Sequence, residues 1–148
     1  MVSIETVVCA VSRIISSARS GDRRVWRPGG VLVALVRDKL PAIENNDPRV
    51  LPELDHHFYR MNFCRGLRSR DVDNDMVPAL GAYLGELLVE TLGGTWVPRK
   101  AIDESQVVIG GVAYLPFLRA RHALASQQAQ IDSSMTQFYR VAARSRSR

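Results

Sequence analysis

Residues 75–125 have the sequence DMVPALGAYLGELLVETLGGTWVPRKAIDESQVVIGGVAYLPFLRARHALA, and this stretch decides the fold. From Val77 to Leu92 the apolar side chains recur at steps of three and four residues, which is the spacing of one buried helical face. The pair Gly93-Gly94 follows directly, and glycine adopts the left-handed conformation that ends helices without a Cβ penalty. The pattern predicts a helix that begins near residues 75–76 and ends at the glycine pair.

Two glycines lie inside this predicted helix. Gly81 and Gly85 are four residues apart and therefore share one helical face. Each costs about 1 kcal/mol of helix propensity relative to alanine. We expect close approach of another backbone at that face to compensate; the alternative is that tertiary contacts simply tolerate both glycines.

Three short β-prone runs follow the helix. Residues 95–97 carry the first, which Pro98 ends or marks as a sheet edge. Residues 106–109 and 112–115 are separated by Gly110-Gly111, a two-residue hairpin signal, because both turn positions need a positive φ. An isolated hairpin is marginal in water, so flanking helices have to complete its core.

Helical spacing recurs outside this central stretch, in residues 3–17, 31–40, 49–66 and from 116 onward. We therefore predict one domain over residues 1–148 of the α+β class, predominantly helical, with a small antiparallel sheet of about three strands within residues 95–115 packed against helices. Whether residues 116–144 form one helix or two is left open. Residues 140–148 are predicted to be a basic, flexible C-terminal tail.

Residues 83–99, YLGELLVETLGGTWVPR, and residues 107–117, VVIGGVAYLPF, resemble a pattern found in small bacterial domains of unknown function. In those domains a helix carrying LGE leads into LGG-x-W and a short hairpin, and some are suggested to act as immunity or accessory proteins. The shared residues are glycines, a tryptophan and aliphatics. The resemblance therefore implies a fold and a bacterial origin, and it transfers no catalytic residue.

The composition predicts a soluble protein of the cytoplasm. Hydrophobic residues make up 46% and charged residues 24% of the chain, which is typical of globular domains. No apolar run reaches the ~18–20 residues that span a bilayer, and no basic start with a cleavage pattern marks a signal peptide. Cys9 and Cys64 lie in apolar helical contexts, which favours buried thiols over a disulfide.

One cluster has chemical character, the run of Glu53, Asp55, His56 and His57. Glu53 and His57 are four residues apart and share a helical face, but a catalytic zinc needs a third protein ligand that the spacing does not supply. Phosphate loops, nucleophile elbows and the HExxH motif are absent from the sequence. We therefore predict no catalytic residue, no metal and no cofactor, and we give an enzyme built on these side chains the lowest rank.

Binding is indicated instead by charge. The net charge is +5, the pI is about 9.8 and nearly all cations are arginines, which favours an anionic partner. Around Trp26 the arginines indicate either a nucleic-acid contact with a stacking platform or a solvated loop anchored by its tryptophan. The C-terminal stripe of apolar residues packs on the domain or pairs with a partner helix, including that of a second copy. The residues predicted to bind a partner are Arg23, Arg24, Trp26, Arg119, Phe138, Arg140 and Arg144.

Two functions compete on these observations. The first is a non-enzymatic bacterial protein–protein interaction module of the adaptor, accessory or immunity type. The alternative is a nucleic-acid-binding protein that uses an arginine-rich surface, which the interspersed aspartates oppose.

Overall fold

The computed structural model describes residues 40–45, 47–65, 76–101, 104–125 and 134–147. Within them, four α-helices and a three-stranded antiparallel sheet confirm the predicted α+β class. The predicted helix over residues 3–17, the one over 31–40 except its last residue, and Cys9 lie outside the described residues.

The elements follow one another in a simple order. Two short 3-10 helices, Pro41–Asn45 and Pro48–Val50, lead into the first α-helix. The helices are α1 (Leu51–Arg65), α2 (Val77–Leu92), α3 (Pro116–Ala125) and α4 (Met135–Arg146), and the strands are β1 (Thr95–Val97), β2 (Gln106–Ile109) and β3 (Val112–Tyr114). Among the described residues after 116, α3 and α4 are separate elements, because the backbone of Ser134 directly before α4 is extended and not helical, so one continuous helix over residues 116–144 is excluded.

Helix α2 lies at the centre, and it packs against α3, α4, β1 and β2. Most of its side chains are buried, because neighbours cover more than one face. Gly93 ends it in the left-handed conformation at φ 72°, and the Gly93 N–H donates to the carbonyl of Val89 at 3.1 Å, so the predicted stop is confirmed. Of the predicted start near residues 75–76, residue 75 lies outside the described residues.

The two glycines of α2 are sites of close contact. A Cβ on Gly81 would lie 2.8 Å from the Cα of Phe117, so the backbone of α3 approaches α2 here as predicted. At Gly85 the neighbour is a side chain, since a Cβ would lie 2.0 Å from Cζ2 of Trp96. The rings of Trp96 and Phe117 pack with centroids 5.9 Å apart. Toleration without a packing role is therefore not the explanation for either glycine.

The sheet has the order β1-β2-β3, with both pairs antiparallel. Trp96, Val107 and Tyr114 form one cross-strand row, and its face packs on the helices. Gly110 and Gly111 have φ values of 56° and 79°, which confirms the predicted hairpin turn.

The buried residues form two clusters. One lies among α1, α2 and α3, and the other joins the end of α2 to the sheet and α4. Trp96 and Tyr139 pack against both clusters and so connect them.

Helix α4 extends to Arg146 and so includes residues 140–146 of the predicted basic tail; the flexibility of residues 140–148 stays a prediction. Three contacts explain the ordered turns. Ala142 is fully buried, the hydroxyls of Tyr114 and Ser145 are hydrogen-bonded at 2.5 Å, and the Arg146 guanidinium donates to the carbonyl of Thr91 at 3.0 Å. Tertiary packing thus holds a segment whose composition alone favours a tail.

Candidate interaction surface

The start of α4 is held by a carboxylate from a distant part of the chain. Asp55 of α1 accepts hydrogen bonds from the backbone N–H groups of Met135 and Thr136, at 2.8 and 3.0 Å. It also accepts from the hydroxyls of Ser134 and Thr136, at 3.0 and 2.5 Å. Ser134 in turn accepts from the N–H of Gln137 at 3.2 Å as the N-cap residue. Asp55 and Ser134 together therefore accept hydrogen bonds from the first three backbone N–H groups of α4.

This contact assigns a structural role to a residue of the one cluster that had chemical character. The Asp55 charge lies at the positive end of the α4 dipole. Of its neighbours, His56 is exposed and the ring of His57 packs edge-on against Phe58 at 5.4 Å. Over the described ranges, no group of three His, Cys, Asp or Glu side chains is placed to hold a metal ion.

Helices α3 and α4 meet through a cation–π contact. The Arg119 guanidinium lies 5.3 Å from the centroid of the Phe138 ring, which is only 8% exposed. The ring of Tyr114 meets the same phenylalanine edge-on, with centroids 5.9 Å apart. Phe138 is therefore a buried support that holds a charged side chain at the surface.

The outward side of α4 combines arginine with an exposed aliphatic residue. Met135, Phe138 and Ala142 face the core, whereas Arg140 and Arg144 are exposed on the opposite side. Val141 lies beside them and is 44% exposed.

A second exposed aliphatic residue lies on α3. Leu118 directly precedes Arg119 and is 38% exposed. On α4, Val141 follows Phe138 by about one helical turn, and on α3, Leu118 is the residue before Arg119, so each aliphatic residue lies close in sequence to a residue of the α3–α4 contact. We define the C-terminal basic face as Leu118, Arg119, Arg140, Val141 and Arg144.

Charge is strongly segregated along the chain. Residues 105–148 contain six arginines and one aspartate, whereas residues 1–104 contain 14 basic and 14 acidic residues. The whole net charge of +5 therefore belongs to the last 44 residues, which include the hairpin, α3 and α4.

Four of the seven residues predicted to bind a partner belong to this region. Arg119 and Phe138 are in contact, and Arg140 and Arg144 lie on the outer side of α4. Arg23, Arg24 and Trp26 lie outside the described residues. The sequence analysis did not identify Leu118 and Val141 as partner-binding residues. Both are apolar residues outside the apolar stripes that face the core, and this position in the sequence pattern could have identified them.

A buried titratable group lies away from this face. The Tyr83 hydroxyl on α2 has no hydrogen-bond partner among the described residues. Burial, and to a smaller extent the charges of Asp47 and Glu90, raises the pKa of Tyr83 from 10.0 to about 12. The side chain therefore stays neutral and serves as packing volume.

Comparison of the chain with protein-family models, curated proteins and solved structures gives no match. The resemblance of residues 83–117 to small bacterial domains thus stays a prediction. None of the helices in the described part of the chain combines the length and the apolar character needed to cross a membrane.

Proposed function

We propose that the chain is a non-catalytic protein–protein interaction module of the adaptor, accessory or immunity type, which acts in the bacterial cytoplasm. Its partner binds at the C-terminal basic face. The observation that carries this proposal is the concentration of the entire net charge in residues 105–148, together with exposed aliphatic residues on the same two helices.

The make-up of the face supports a protein partner. Arginine and aromatic residues are enriched in the buried centres of protein interfaces, where a few such side chains provide most of the binding energy. Arg119 already packs on Phe138, so its side chain loses less conformational freedom on binding than a fully solvated arginine. Leu118 and Val141 supply apolar area that gains from being covered.

Nucleic acid is the second candidate, because six arginines in 44 residues suit a phosphate backbone. The start of α4 opposes it. The first turn of a helix is the usual phosphate site in such a domain, and here the Asp55 carboxylate occupies it and repels a second anion. Exposed aliphatic residues also gain little from a sugar–phosphate surface.

Site-specific photo-crosslinking tests the proposal. We place p-benzoylphenylalanine at position 141 and, as a matched exposed control outside the face, at position 100, and irradiate each protein in extract of the source cells. A protease-sensitive adduct at 141 that is absent at 100, and is lost when Arg140→Glu and Arg144→Glu are added, is the expected result.

Three outcomes would redirect the proposal. A nuclease-sensitive adduct at 141 supports the nucleic-acid function, and equal labelling at both positions rejects the face as the binding site. An adduct whose mass is twice that of the chain indicates self-association through α4.

A further inference from the structure

We infer that the segment of the partner that docks on the C-terminal basic face is an acidic amphipathic helix. The inference rests on the proposed function and specifies the chemistry of the occupant. It follows from the spacing of the arginines, the position of the aliphatic residues and the way the backbone of α4 is satisfied.

The spacing of Arg140 and Arg144 determines where the partner's carboxylates must lie. Residues four apart on a helix have Cβ atoms about 5–6 Å from each other, so the two guanidinium groups emerge along one line parallel to the α4 axis. A guanidinium group pairs with a carboxylate through two parallel hydrogen bonds. Glutamates or aspartates that are four apart on a helix repeat the same spacing and match both arginines at once.

The exposed aliphatic residues determine what lies between those carboxylates. Val141 directly follows Arg140 and precedes Arg144 by about one turn of α4, and Leu118 directly precedes Arg119 on α3; both aliphatic side chains are exposed. Covering them requires an apolar side chain on the partner, next to its acidic residues. A stripe of carboxylates beside a stripe of leucine or valine is the pattern of an amphipathic acidic helix.

The backbone argues for a helical partner over an extended one. An extended segment binds by adding a strand to a sheet edge, where its N–H and C=O groups find partners. In α4 the backbone N–H groups are used within the helix, and those of the first turn are bound by Asp55 and Ser134, so α4 offers no row of free N–H groups to an extended segment. A helix satisfies the backbone groups of its interior turns and binds through side chains, so those turns can be covered without leaving a backbone polar group unpaired.

Fluorescence anisotropy at low salt tests this inference on the full chain. The first probe is a labelled peptide of about 18 residues, long enough to form helix, in which glutamate and leucine recur at three- and four-residue steps. The second is an isomer of identical composition with strictly alternating glutamate and leucine, and the third is a short DNA duplex. The variants are Arg140→Gln with Arg144→Gln, and Val141→Ser. The matched control is Arg99→Gln with Lys100→Gln, which removes two exposed charges outside the face.

We expect the helical peptide to bind more tightly than its isomer and the duplex. The double arginine variant should weaken that binding about tenfold, and Val141→Ser about threefold, whereas the control should stay within about twofold. The inference is overturned if the helical peptide and its isomer bind with equal affinity and only the double arginine variant weakens that binding. That result would show that the face binds any polyanion.

The proposed function and this inference fail in different ways. If position 141 crosslinks to a protein but the helical peptide does not bind preferentially, the partner's chemistry is wrong and the interaction function stands. If the duplex binds best and the adduct at 141 is nuclease-sensitive, both are wrong. Circular dichroism of each variant confirms that it is folded before the affinities are compared.

Discussion

Replacing Gly85 with alanine removes a space that the indole of Trp96 fills. The added Cβ would lie 2.0 Å from Cζ2 and 2.1 Å from Cη2 of that ring. Carbon atoms in contact are ordinarily about 3.5–4.0 Å apart, so the ring has to move by about 1.5 Å. It cannot move alone, because Trp96 packs against both core clusters and against Phe117.

Two opposing effects set the magnitude. Alanine gains about 1 kcal/mol of helix propensity over glycine in the middle of α2. Overpacking a well-filled core costs about 1–3 kcal/mol, and an overlap of this depth with a rigid ring belongs at the upper end. We therefore expect Gly85→Ala to lower the free energy of unfolding by about 2 kcal/mol, which lowers Tm by about 4–8 °C in a chain of this size.

Thermal and urea unfolding of four proteins measure this effect: the native chain, Gly85→Ala, Trp96→Phe and the double variant. Phenylalanine lacks the outer carbons of the indole, so alanine at position 85 should cost much less, or even stabilise, in the Trp96→Phe background. The reasoning is refuted if Gly85→Ala raises Tm in the native background, or if its cost is the same in both backgrounds.

Gly81 supplies a contrast, since a Cβ there would lie 2.8 Å from the backbone Cα of Phe117 as well as 2.3 Å from Cδ1 of its ring, and the Cα cannot move without the chain of α3. Gly81→Ala should cost at least as much as Gly85→Ala, and trimming Phe117 to leucine should leave most of that cost in place. Relief of the Gly81→Ala cost by Phe117→Leu would show that the ring, and not the chain path of α3, limits the space there.

Three further substitutions probe other parts of the fold. Asp55→Ala leaves the first-turn N–H groups of α4 without their carboxylate, so it should lower the free energy of unfolding by about 2 kcal/mol and speed amide hydrogen exchange in α4. Unchanged exchange would contradict the capping role of Asp55. Tyr83→Phe removes a buried hydroxyl without a partner among the described residues and should stabilise by about 1 kcal/mol. The pKa of Tyr83 is 10.0 in the unfolded chain and about 12 in the folded chain, so between these pH values only the folded chain keeps the proton. The contribution of the neutral phenol to the free energy of unfolding is therefore complete below pH 10 and is lost as the pH rises to 12. Tyr83→Phe should flatten that part of the pH curve in urea titrations, and an unaltered slope would contradict it. Both Gly110 and Gly111 have a positive φ, but only a Cβ on Gly110 would lie 2.5 Å from the Ser145 carbonyl oxygen, whereas one on Gly111 meets nothing within 4 Å. Gly110→Ala should therefore lower the free energy of unfolding, measured by chemical denaturation, by about 1 kcal/mol more than Gly111→Ala. Equal losses for the two variants would refute the close contact.

The parts of the fold that could be predicted from sequence are those with local causes. The glycine pair after Leu92 ends α2, because only a residue without a Cβ adopts φ 72° at low cost. Gly110 and Gly111 make the hairpin turn for the same reason. In each case neighbouring residues alone determine the backbone conformation, so no knowledge of distant contacts is needed.

The parts that could not be predicted depend on partners far along the chain. Asp55 lies 80 residues from Met135, and no helical or strand periodicity links the two. The first turn of α4 is bound by the local residue Ser134 and by the distant Asp55, and only the first of these could be read from neighbouring sequence. Similarly, no local pattern predicts the hydrogen bond between Tyr114 and Ser145, which are 31 residues apart. Local composition predicts what a segment does alone, and tertiary contacts then override it.

The same distant contacts connect the core to the proposed binding face. A helix of 12 residues is marginal in isolation, so α4 depends on what holds its two ends. Asp55 holds the first turn, and the Arg146–Thr91 hydrogen bond holds the last. Arg140 and Arg144 lie between these two points and project from a fixed backbone, so a partner does not have to order the helix in order to bind. Loss of the Asp55 contact should therefore weaken binding at the face even though Asp55 lies outside it, and it should do so in proportion to the loss of amide protection in α4.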